Sequence, residues 1–207
     1  MKSEICPLNN ELISLNIILK EVESFTKKCE LSEKEALKIR LWAEELKGML
    51  PSLVENFEGV FWLENEGSNY EIHVEFDVAE MSFEKRNKLV AFSSSGKNEA
   101  TKGIMGKIRA VAETMMLAIS EPATSLGVPY YGAEHMTLGF IYVDPASVVE
   151  NSYMYSWSLN NYKSDVYKEE IKEASDELEY SIVANLADDI LVGVKGKFVE
   201  ITIKKTI

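Results

Sequence analysis

Glu44 and Glu45 stand side by side within a stretch of helical periodicity that runs from Ser32 to about Leu53. A carboxylate on a helix is ordinarily a solvated group. Glu44, however, falls at 100° per residue on a stripe with Leu37, Leu41 and Gly48. Leucines that partly desolvate a carboxylate make it a better proton acceptor, which suits a general base. Glu45 lies toward Lys38 and fits a solvated face. Asp77 closes the run NYEIHVEFD and projects into the next connection. Such positions often carry binding groups, although Asp is also a common strand terminator.

The third feature is SSSGKNEATKGIMGKIR, residues 93 to 109. Gly96-Lys97 suggests a phosphate loop. A Walker loop needs a glycine five residues before Gly96 and a Ser or Thr after the lysine. Ala91 and Asn98 occupy those positions, which excludes it. What remains is a loop with Gly96 and Lys97, Thr101 as a helix N-cap, and a helix holding Gly103 and Gly106. Free amides at a helix N-terminus beside lysines make a competent anion site. Glycine inside a helix costs about 1 kcal/mol relative to alanine. Close approach of a ligand or of a neighbouring backbone offsets that, and both explanations stay open.

Other chemistries are poorly served. His73, His135, Cys6 and Cys29 are scattered without metal-ligand spacing, and there is no Gly-x-Ser-x-Gly elbow. This argues against a zinc enzyme and a serine hydrolase. His73 alternates onto the polar side of its strand, where contact with water is expected. The chain carries 22 basic and 34 acidic residues, a net charge of −12. That disfavours nucleic acid and anionic membranes as partners. Two cysteines cannot form a disulfide framework, and no signal-peptide pattern opens the sequence, so a reducing cytoplasm is expected. No apolar window is long enough to span a bilayer.

The elements that must position these groups follow from periodicity. Residues 10–28 predict a helix with Leu12, Leu15, Leu19, Val22 and Phe25 inward. Ser32 and Glu35 form a capping box for the next helix, whose inward stripe is Ile39, Trp42, Ala43, Leu46, Leu50 and Leu53. Pro51 is expected to kink or weaken its end. GVFWLE and NYEIHVEFD, joined by NEGSN, predict a hairpin. A short helix is expected over 81–92 and a longer one over 101–120. TLGFIYVD and SYMYSWSL read as strands. A helix is expected from about Ser164 to Leu186, with Ile171, Ala174, Leu178 and Ile182 inward. ILVGV and KFVEITI predict a closing hairpin. The sum is a single α+β domain, a two-layer sandwich of helices on a mixed, mostly antiparallel sheet.

In order, these features resemble the histidine-kinase-like ATPase superfamily, whose fold sensor kinases, gyrase-type ATPases and anti-sigma-factor kinases share. LSEKEALKIRLWAEELKGML is similar to its acid-bearing helix, and YEIHVEFD to its aspartate-bearing strand. GKNEATKGIMGKIRAV resembles its glycine loop and helix, and ILVGVKGKFVEITIKK its closing hairpin. The resemblance covers residues 32–118 and 186–205, leaving 121–185 as an elaboration. It implies an ATP ligand, Glu44 or Glu45 as general base, and Asp77 on the adenine amino group. It also implies Gly96, Lys97, Gly103 and Gly106 around the phosphates, with Thr202 in the closing strand.

The sequence departs from that pattern at several positions. The magnesium-binding Asn, four residues after the acid, is replaced by Gly48 or Met49. Val78-Ala79 follows Asp77 where the pattern has x-Gly, and Val199-Glu200 stands where a Thr is usual. Three functions follow as alternatives. One is a nucleotide-binding regulatory or signalling protein with degenerate catalytic motifs, working with a protein partner and compatible with a homodimer. The second is an interaction module that keeps the fold and binds no nucleotide. The third is an active ATPase or protein kinase.

Overall fold

The structure, a computed structural model, describes residues 1–9, 12–53, 58–77, 103–120, 140–142, 155–170, 181–195 and 198–207, with Lys172, Ser175, Asp176 and Leu178 between them. The described elements are β1 (Cys6–Asn9), α1 (Leu12–Lys28), α2 (Glu33–Leu53), β2 (Glu58–Glu66), β3 (Asn69–Asp77) and α3 (Gly103–Ser120). They continue as β4 (Phe140–Tyr142), β5 (Tyr155–Ser158), α4 (Leu159–Lys168), α5 (Ile182–Leu186), β6 (Asp189–Lys195) and β7 (Phe198–Thr206).

The strands form one seven-stranded sheet in the order β1-β2-β3-β7-β6-β5-β4. Every ladder among the described residues is antiparallel, so the mixed character expected of the sheet is not seen there. Alternation sorts the faces. Phe61, Leu63, Ile72, Val74, Phe76, Val192, Val199, Ile201 and Ile203 point to the helix layer and are buried. α1 lies on β1 and β2 and pairs with α2, which packs on α3 and α5. α3 lies on β6 and β7, and α4 on β5 and β6. This is the two-layer α+β sandwich, with one core between sheet and helices.

Local chemistry explains the boundaries. The Ser32 hydroxyl lies 2.6 Å from Glu35 Oε2, and the Ser32 amide donates to the same oxygen at 3.0 Å. This capping box starts α2. Gly67, at φ 62°, supplies the left-handed residue between β2 and β3. Lys195 pairs with Phe198, which leaves a two-residue connection in the closing hairpin.

Several expectations change. Among the described side chains of α1 the buried stripe is Leu15, Ile18, Val22 and Phe25, with Leu19 only partly buried; the Leu12 side chain lies outside what is described. α2 runs two residues past Pro51, whose lost amide falls in the last turn and interrupts little. Met49 joins the inward stripe of α2.

The single helix expected over 164–186 instead starts earlier, as α4. Ser158 caps it by accepting from the Asn161 amide, and it ends at Glu169. Glu170 then takes φ 54°. Lys172, Ser175, Asp176 and Leu178 are helical again, with Leu178 buried as expected, and α5 then follows under its own cap, Ser181; Ile171, Ala174 and the Ile182 side chain lie outside what is described. β1 has no counterpart among the predicted elements. The helix expected over 81–92 lies outside the described residues.

Candidate functional site

Glu44 sits on the outward side of α2. Its stripe faces solvent: Leu37 is 55% exposed, Glu44 and Glu45 are exposed, Gly48 is exposed and Leu41 is half-buried. The expected desolvation by leucines is therefore not found. The stripe turns away from the core because Ile39, Trp42, Ala43 and Leu46 take the inward positions. Arg40 Nε donates to Glu44 Oε1 at 3.0 Å while its Nη1 meets Glu23 Oε1 at 2.8 Å. Glu44 is thus one arm of a surface ion-pair triad linking α1 to α2. A Cβ built on Gly48 meets nothing within 4 Å.

Asp77 ends β3 opposite Phe198 and is half-buried. Thr202 lies in β7 opposite His73 and is 2% exposed. Both alternate with core residues, Phe76 for Asp77 and Ile201 and Ile203 for Thr202. Their side chains therefore leave the sheet on the face away from α2 and α3. Four residues of β7 separate their register positions, about 13 Å along the strand. Gly103 opens α3, and Gly106 is buried within the helix layer. Gly96 and Lys97 lie outside the described residues. The described members of the set thus occupy different places: Glu44 and Glu45 outside α2, Gly103 and Gly106 on α3, Asp77 and Thr202 behind the sheet.

Thr202 belongs instead to a polar cluster on that outer face. His73 alternates to the side predicted for it, yet it is only 8% exposed rather than wet. Its Nδ1 lies 2.8 Å from Glu200 Oε1, so the hydrogen-bond network places a ring proton on Nδ1. The Thr202 hydroxyl donates to the same Glu200 oxygen at 3.3 Å. On the other side, Nε2 comes within 3.1 Å of Glu71 Oε2 but outside hydrogen-bond geometry. Lys204 reaches Glu71 at 3.1 Å. Trp62 covers the imidazole, and its Nε1 donates to Glu64 at 2.7 Å. Lys2 bonds Glu64 at 2.8 Å and sits 4.8 Å from the centre of the Trp62 ring.

The hydrogen bond from Lys2 holds the Glu64 carboxyl below its usual range, against the effect of partial burial; the Trp62 indole adds to it. The cluster ties β2, β3 and β7 together across the sheet. The imidazole Nδ1 of His73 is committed to Glu200, while its buried Nε2 makes no hydrogen bond. Sequence reasoning did not single out Glu200 as a partner for His73. Its signal was a lone charge inside the apolar run FVEITI.

Where the ends of β2, β3 and β7 meet the loop before β6, a cleft of about 720 Å³ opens beside Glu64, Glu71, Asp188, Lys204 and Lys205. Its lysines are engaged: Lys204 with Glu71, and Lys205 with Asp188. No group of His, Cys, Asp and Glu among the described residues could hold a metal ion. No described helix is long and apolar enough to cross a membrane. Cys6 and Cys29 are free thiols. No family model matches the chain, and the searches of curated proteins and of solved structures gave no match.

Proposed function

We propose that this chain is a nucleotide-binding regulatory or signalling protein on a histidine-kinase-like ATPase scaffold, with weak or no turnover. The adjacency of five elements carries the proposal. α2 packs on α3, α3 packs on β6 and β7, and β3 is hydrogen-bonded along β7. These are the elements that bear the acid, the helical glycines, Asp77 and the closing hairpin. The proposed ligand is ATP, with its phosphates toward the start of α3; Gly96 and Lys97, which the resemblance assigns to the phosphate side, lie outside the described residues.

Phosphoryl transfer depends on positioning and on metal electrostatics. Gly48 offers no side-chain oxygen four residues after Glu44, and Glu44 itself is held by Arg40. Binding is accordingly proposed to survive where turnover has faded, with little help from Mg²⁺. The protein acts in the cytoplasm through a protein partner, and its acidity keeps it off nucleic acid.

A thermal-shift titration with ATP and ADP, with and without Mg²⁺, tests this. Nucleotide at 100 times its dissociation constant should add about 2.7 kcal/mol of stability. An unmoved transition at millimolar nucleotide removes the proposal. Turnover that falls in Glu44→Ala or Glu45→Ala would instead identify an active enzyme.

A second reading, an interaction module without nucleotide, is favoured by Asp77 and Thr202 leaving the sheet on the face away from α2 and α3. Native purification separates the two readings. A chain that emerges alone with stoichiometric nucleotide counts against the module.

A further inference from the structure

We draw no further inference here: the strongest candidate, the apolar groove of about 400 Å³ between α1 and α2 lined by Val22, Leu31, Ala36 and the exposed Leu37, carries nothing because no feature of the structure shows what covers it.

Discussion

The imidazole of His73 lies flat on the indole of Trp62, with ring centroids 4.7 Å apart and planes within 1° of parallel. The stack closes one side of the ring while Glu200, only 5% exposed, takes its Nδ1. His73→Leu should cost about 2 kcal/mol, because it strips a buried carboxylate of a hydrogen-bond donor. Adding Glu200→Leu should recover much of that loss, since the carboxylate then no longer has to be satisfied. Urea unfolding of the wild type, both single variants and the double variant measures the coupling. Additive losses would show that the two side chains do not depend on one another.

Gly48 is exposed in the interior of α2, and the space around it is open. Gly48→Ala should stabilise the protein by about 1 kcal/mol, through backbone entropy and helix propensity alone. For a chain of this size that raises Tm by about 2–4 °C. Gly48→Asn adds a discriminating measurement under the nucleotide proposal. It should make ATP affinity rise with Mg²⁺, where the wild type shows little response. An unchanged magnesium response would place Gly48 away from the phosphates.

Ser32 and Glu35 satisfy each other at the start of α2. Ser32→Ala should lower stability by about 1 kcal/mol, whereas Ser32→Asp should retain most of it. Calorimetry on the two variants checks the ranking. Equal melting points for Ala and Asp would remove capping as the reason the helix begins here.

Two carboxylates predict a response to acid. The hydrogen bond from Lys2 holds Glu64 below its ordinary value of 4.5. Burial pushes Asp188 up from 3.8, but bonds from Lys205 and the Thr206 amide outweigh it and hold Asp188 lower. Groups depressed in the folded state contribute stability that is full above their unfolded values. That stability is lost as pH falls through the lower folded values. The urea midpoint should therefore drop below about pH 4.5, and the drop should be shallower in a Glu64→Gln/Asp188→Asn variant. Parallel pH profiles for the two proteins would rule these residues out as the source.

Much of the scaffold was legible from side-chain periodicity. The α2 cap, the β2–β3 hairpin and the closing hairpin rest on local chemistry that a sequence carries openly. β1 was not legible, because four residues containing a proline show no period and gain their place only by pairing with β2. The α4 boundary was missed because its signal is the single hydroxyl of Ser158, whereas the weak period farther on suggested one longer helix.

At the candidate site, alternation put His73 on the correct face. Its burial could not be read from β3 alone, since Trp62, Glu200 and Thr202 come from two other strands. Glu44 failed in the opposite sense: sharing a stripe with leucines says nothing about which stripe meets the core.

The central ladder joins His73 to Thr202, which lies 129 residues later. At about 5–20 residues per second, roughly 6 to 26 s of synthesis separate them. Loop closure over that distance adds little to equilibrium cost, since it grows only with the logarithm of length. Its weight falls on the rate. β2 and β3 are synthesised before β7, and until β7 pairs, the edge of β3 is an open template for a wrong strand. The pairing of β3 with β7 is thus the point at which the order of synthesis leaves this sheet open to a wrong partner.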